Sequence, residues 1–286
     1  MVKTHNIPNF LKYLNIDSYK SDAINVSKYD EYKNLKLKSK SIGIDFYCLA
    51  IKSNFGKNIN YGQTSYDKSD SCLFLDRPDA ILEWNLTKPL SGYQILISTE
   101  LFNKYARDYN FIDYDNHETL FLTEDEKKIT IDIFEKAYSE YQKSNFSIKI
   151  LVSYANLILA YTHSFYERQF ETRSKIYNQV VADFYENLDL YFGDRKERQA
   201  LPTVSFFAQK CNLSPNYFGD VIKHFTGSSP LEHIHDRIIT IAKHKLRQPH
   251  LTVREIAYSL GFDYPSYFTR FFKQKTGITP TDFRDR

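Results

Sequence analysis

TVSFFAQKCNLSPNYFGDVIKHFTG (residues 203–227) and TVREIAYSLGFDYPSYFTRFFKQKTG (residues 252–277) are one pattern written twice. Val204, Ala208 and Leu213 align with Val253, Ala257 and Phe262 at an offset of 49. One residue is then inserted, and Tyr217, Phe218, Thr226, Gly227 and Pro230 fall on Tyr267, Phe268, Thr276, Gly277 and Pro280 at an offset of 50. Matches at a fixed period mark one supersecondary unit used twice. In the second copy Thr252 to Glu255 is a capping box, opening a helix with Ile256, Ala257 and Leu260 that Gly261 ends. The next helix starts near Pro265, which suits a first turn, and stops at Gly277.

The second helix of each copy has two faces. Phe268, Phe271 and Phe272 form an apolar stripe, whereas Ser266, Thr269, Arg270 and Lys273 follow i, i+3, i+4, i+7 spacing on the other side. The first copy repeats this with Phe218, Val221, Ile222 and Phe225 against Asn216, Gly219, Asp220 and Lys223. A helix-turn-helix presents such a second helix to the DNA major groove, where short polar side chains and Arg meet base edges and Lys meets phosphate. A single copy is equally well an amphipathic helix with a solvated face. Two in tandem favour the groove.

The stretch Leu213 to Lys223, with Thr226-Gly227 and Ser229-Pro230, resembles the DNA-binding domain of the AraC/XylS transcription regulators. So do Ile256 to Phe262, Tyr267 to Lys273, Gly277 and Thr279-Pro280; together the resemblance covers about the last 110 residues. It implies two recognition helices entering successive major-groove segments on one face of DNA. Carried over by position, the base-reading candidates are Asn216, Gly219 and Asp220 in the first helix and Pro265, Ser266, Thr269 and Arg270 in the second. Lys223 and Lys273, with Arg195 and Lys196 in the charged loop 193–198, are the phosphate candidates. Asp220 departs from the family, where many members carry Arg; a carboxylate accepts from a cytosine amino group but repels phosphate, so the second helix is expected to carry more affinity.

Between the copies, Ser229 to Glu232 is another capping box, starting a helix to about Leu246. At ~1.5 Å per residue such a helix spans about 25 Å, a strut that would fix the spacing of two half-sites.

The charge is uneven. From Arg173 onward there are 17 Lys and Arg against 12 Asp and Glu, and before it 21 against 23, so the basic half is the half with the repeat, as DNA binding requires. The length of 286 residues and 42% hydrophobic content allow two cores. Cys48, Cys72 and Cys211 are odd in number and widely spaced, which suggests neither a disulfide framework nor a metal pair. The longest hydrophobic run, Ile150 to Tyr161, is too short for a membrane span, and a cytoplasmic location is expected.

Residues 1–40 lack firm periodicity and read as a loose lead-in, partly packed through Phe10, Leu11 and Leu14. From 42 to 98 the pattern changes to short apolar or alternating runs, Ile42–Ile51, Asn60–Tyr66, Ser71–Leu75, Ala80–Trp84 and Tyr93–Ser98, separated by turn formers. They predict a small antiparallel sandwich or β-barrel, where many AraC-like regulators carry a cupin-like sensor. No histidine occurs in 42–98, which argues against a metal-dependent cupin, and no catalytic motif, metal site or cofactor is implied anywhere. If Tyr47, Tyr61, Tyr66, Phe74, Trp84 and Tyr93 point inward they line a pocket for an apolar or sugar-like small-molecule effector; otherwise they fill the core.

After the strands, Thr123 to Glu126 caps a helix, and a second helix over about 148–170 is apolar nearly all round and must be covered on both sides. A second copy of the chain is the natural cover, and in the related regulators this helical pair forms dimers, so a homodimer through helices over 124–170 is expected. The fold class is therefore α+β: a sensor and dimerisation domain over 1–172, and an all-α domain over 173–286 with helix-turn-helix units at 203–227 and 252–277 joined by the helix 230–246. The function expected is that of a transcription regulator binding double-stranded DNA, an activator touching RNA polymerase by the resemblance, and not an enzyme. Two alternatives stand beside it: a ligand-binding barrel whose helical tail contacts a protein, and a non-specific architectural DNA binder.

Overall fold

The computed structural model describes residues 2–16, 19–53, 71–86, 88–105, 109–114, 120–193 and 200–285. The chain divides into two compact units, Met1–Thr172 and Arg173–Arg286.

The first unit begins with β1 (Thr4–His5), α1 (Ile7–Tyr13) and β2 (Ile24–Lys28). The expected loose lead-in is therefore folded: Ile7, Phe10, Leu11, Ile16, Ile24, Val26 and Tyr29 are buried. Strands β3 (Lys38–Ile44), β4 (Phe46–Ser53), β5 (Ser71–Asp76), β6 (Ile81–Asn85), β7 (Ser91–Ser98) and β8 (Leu120–Phe121) follow, with helix α2 (Thr99–Tyr105) after β7. They form two ladders, β1-β3-β6 and β2-β7-β4-β5-β8. Of the small antiparallel sandwich or barrel expected from the strand spacing, the barrel is corrected on two points. Among the described residues the ladders stay open and separate, and β1 pairs parallel with β3. The strand expected over Asn60–Tyr66 lies outside the described residues.

Strict alternation divides the five-stranded sheet into two faces. Phe46, Cys48, Ala50, Phe74 and Leu96 belong to the core cluster that also holds Phe10, Leu11, Ile42 and Ile44 from α1 and β3. The opposite face meets helices: Tyr47 stacks on Phe102 of α2, and Tyr93 stacks with Phe134 of α3 (Glu124–Gln142). The capping box of α3 forms, with Thr123 and Glu126 exchanging bonds, and Arg168 of α4 (Ile148–Thr172) adds an ion pair to Glu126 at 2.6 Å. Helix α4 buries Leu151, Ala155, Ile158, Leu159, Phe165 and Phe170 but leaves Ile150, Leu157 and Tyr161 exposed.

The second unit contains α5 (Ser174–Tyr191), α6 (Val204–Lys210), α7 (Pro215–Thr226), α8 (Pro230–Leu246), α9 (Val253–Ser259), α10 (Pro265–Thr276) and α11 (Pro280–Arg284). One core runs through it, with Phe184, Phe207, Phe218, Ile222, Ile238, Ile256, Phe268 and Phe272 buried together. The pairs α6–α7 and α9–α10 turn by the same device: Asn212 (φ 54°) and Gly261 (φ 95°) each take the left-handed conformation, after which Leu213 N–H donates to Ala208 O and Phe262 N–H to Ala257 O. The repeat continues past both pairs, because Ser229 and Glu232 cap α8 as Thr279 and Asp282 cap α11. Arg284 then donates to the carbonyls of Leu246 and Leu251, tying α11 to the end of α8.

Candidate nucleic-acid interface and the cavity between the sheets

Helices α7 and α10 are each 12 residues long, start on proline and end on a left-handed glycine, Gly227 (φ 79°) and Gly277 (φ 81°). Each buries one apolar face: Phe218, Val221 and Ile222 in α7, Phe268 and Phe272 in α10, with Phe225 and Phe271 half-buried at the edges. The outward face of α7 carries exposed Asn216, Lys223 and His224, with Gly219 and Asp220 half-buried. A Cβ added at Gly219 would meet nothing within 4 Å among the described residues, which leave this face open at mid-helix.

On α10 the exposed side chains are Ser266, Tyr267, Arg270, Lys273, Gln274 and Lys275. Pro265 and Thr269 are half-buried, and the Thr269 hydroxyl donates to Pro265 O at 3.0 Å. Arg270 lies over the Tyr267 ring at 5.3 Å. Beside them is an open hollow of about 500 Å³, lined by Leu201, Phe262, Phe271, Tyr267 and Arg270. Tyr264, Tyr267 and His224, absent from the residues expected at this surface, are also exposed; the signal for Tyr267 is its i, i+3 spacing to Arg270. Arg195 and Lys196 lie outside the described residues.

Within the first unit a cavity of about 420 Å³ opens between the two ladders. Of the aromatic residues expected to line a pocket, Phe74 and Trp84 do. Tyr47 and Tyr93 point to the other face, because they neighbour the cavity-lining Cys48 and Gln94 along their strands; Tyr93 instead donates to Glu135 at 3.0 Å. Tyr61 and Tyr66 lie outside the described residues. The polar part of the wall escaped the sequence because it alternates with the aromatics. Tyr29 donates to Gln94 Oε1 at 2.8 Å, and Gln94 Nε2, buried, has no hydrogen-bond partner among the described residues. Burial raises the Asp76 carboxyl above its ordinary value, with nearby Lys52 opposing the shift, and pushes the Cys48 thiol up to about 12.

Among the described residues no group of three or more His, Cys, Asp or Glu could hold a metal ion. No helix among them is long and apolar enough to cross a membrane.

Residues 207–286 match the model of a family described as "Helix-turn-helix domain". The chain is 32% identical over 81 residues to the arabinose operon regulatory protein of Escherichia coli strain K12, covering 28% of each chain. It is 32% identical over 92 residues to the MmsAB operon regulatory protein of Pseudomonas aeruginosa, covering 32% of this chain and 30% of that one. A solved structure, the C-terminal domain of the two-component response regulator yesN from Fusobacterium nucleatum, shares 26% identity with a TM-score of 0.31, covering 35% of this chain and 93% of that one. The matched region spans about a third of the length of the curated relatives.

Proposed function

We propose, from a C-terminal region similar to the helix-turn-helix domain of operon regulators, that this chain is a sequence-specific DNA-binding transcription regulator. The observation that carries the reading is the matched pair α7 and α10, alike in length, start and end, each burying an apolar face and turning a polar face outward, with the basic excess on α10. In this reading α6–α7 and α9–α10 are two helix-turn-helix units. Helix α8, with 17 residues, is a strut of about 25 Å between them. Asn216, Gly219, Asp220, Pro265, Ser266, Thr269 and Arg270 face base edges, while Lys223 and Lys273 face phosphates.

The unit over 1–172 serves as sensor and dimerisation domain. The uncovered stripe Ile150, Leu157 and Tyr161 of α4 supports a homodimer through α3 and α4, which light scattering would show as a doubled mass at micromolar concentration. Buried and without a partner among the described residues, Gln94 Nε2 in the cavity wall supports a small-molecule effector that brings a hydrogen-bond acceptor. Activation through contact with RNA polymerase is the regulatory mode inferred from the resemblance.

The deciding experiment is selection of bound sequences from a random duplex pool by the full-length protein at two salt concentrations. The expected result is a motif of two half-sites about one helical turn, ~10 bp, apart. Equal retention of all sequences would instead identify a non-specific architectural binder. Retention of none, with or without candidate ligands, would identify helices that serve a protein partner.

A further inference from the structure

The residue by which the two repeats differ lies just before α10. Between Leu213 and Pro215 there is one residue, Ser214; between Phe262 and Pro265 there are two, Asp263 and Tyr264. Ser214 caps α7, its hydroxyl accepting from Tyr217 N–H at 3.3 Å. Tyr264 holds the cap position of α10 and makes no side-chain cap bond, so the insertion replaces a stabilising cap with a residue that cannot cap.

The side chain brought there is also exposed. Tyr264 is 60% and Tyr267 53% accessible, whereas Tyr217, the counterpart of Tyr267, is 4% accessible. The rings of Tyr264 and Tyr267 meet edge to face at 5.4 Å, and the Arg270 guanidinium rests against Tyr267 at 5.3 Å. A helix start that gives up its cap and turns two large rings to solvent gains neither capping nor burial. Such departures from local rules gather at functional sites.

The occupant follows from the chemistry of this face. Arg270 and Lys273 lie on the same exposed side, which suits a polyanion. The first residues of a recognition helix are those that reach base edges. In the major groove the apolar group offered to such residues is the thymine 5-methyl, and guanine O6 and N7 are the acceptors an arginine reads. Tyr267 and Arg270 are three positions apart, ~4.5 Å along the helix axis, roughly one base-pair step at 3.4 Å.

We propose that Tyr264 and Tyr267 form an aromatic reader of a thymine 5-methyl group, next to the guanine taken by Arg270. Tyr267 has a second role, holding the guanidinium plane for a bidentate contact. The inference rests on the DNA-binding reading above and adds a base preference to it.

The test takes the duplex selected by the full-length protein and replaces each thymine in turn with deoxyuridine, which lacks only the methyl group. Affinities are measured by fluorescence anisotropy for the unaltered protein, for the double variant Tyr264→Ser/Tyr267→Ala, and for Tyr267→Phe, which keeps the ring. One or two thymines beside the Arg270-dependent guanine should lose about fourfold on replacement, the size of one buried methyl group. The double variant should bind the thymine duplex more weakly and lose nothing further with deoxyuridine, while Tyr267→Phe keeps the methyl dependence. Deoxyuridine duplexes that all bind as well as thymine overturn the proposal, and so does a methyl penalty undiminished in the double variant. Failure to select any sequence would defeat the DNA-binding reading itself; a selected sequence without methyl dependence defeats the aromatic reader alone.

Discussion

Helices α7 and α10 grow from matching residues and close on matching glycines, yet they face different surroundings. Tyr217 of α7 is buried, its hydroxyl bonded to Tyr177 of α5, and Phe184 of α5 packs edge-on against Phe218 at 5.4 Å. Tyr267 of α10 has no such cover among the described residues and stands in solvent beside Arg270. A duplicated unit thus keeps its buried face, while its outward face is set by what neighbouring elements leave open. The largest expected effect tests this directly. Tyr217→Ala should cost about 3–5 kcal/mol of stability, the range for a buried aromatic, whereas Tyr267→Ala should stay within about 0.5 kcal/mol. Equal losses in denaturant unfolding would mean that the two tyrosines share one structural role.

The same contrast extends to charge. At equivalent positions α7 carries Asp220 and α10 carries Arg270. Arg270→Ala should weaken the selected site by about 1–3 kcal/mol and relax preference at one base pair. Lys223→Ala and Lys273→Ala should instead weaken all sequences alike, each reducing the salt slope by about 1. Asp220→Ala removes a carboxylate that repels phosphate, so general affinity should hold or rise. A uniform loss across sequences for Arg270→Ala would remove it from base reading.

Third in size is the exchange of caps. Ser214→Ala should destabilise by about 1 kcal/mol, and Tyr264→Ser, which restores a capping side chain to α10, should stabilise by a similar amount. Thermal unfolding of the two variants checks the opposite signs. A loss of stability in Tyr264→Ser would show that the tyrosine is structural.

What the sequence made legible was local. The boxes Thr123/Glu126, Ser229/Glu232 and Thr252/Glu255 need only neighbours in the chain, and each forms as expected. The first strand of the large sheet, Ile24–Lys28, alternates apolar and polar residues over only five positions, and its polar Asn25 and Ser27 are buried along with Ile24 and Val26, so the alternation does not separate core from solvent. Its polar members are satisfied from far away or from each other, Asn25 by Tyr141 and Ser27 by Asn25. Which of sandwich or barrel the strands would form could not be read, because the two open ladders follow from long-range pairing that no short window contains. For the interface, the outward spacing of Ser266, Arg270 and Lys273 could be read, but the burial of Tyr217 depends on Tyr177, forty positions earlier.

The smallest effect concerns Gly219, which stands at mid-helix in α7 where the matching residue of α10 is Thr269. Glycine in a helix interior destabilises by roughly 0.5–1 kcal/mol relative to alanine, and here an added methyl group would touch nothing. The fold therefore supplies no reason for the glycine, but close approach of a DNA backbone or base edge would. Gly219→Ala should raise the unfolding midpoint while weakening binding to the selected duplex. A variant that is more stable and binds equally well would show that α7 lies less deeply in its groove than α10, and the two helices would then differ in depth as well as in chemistry.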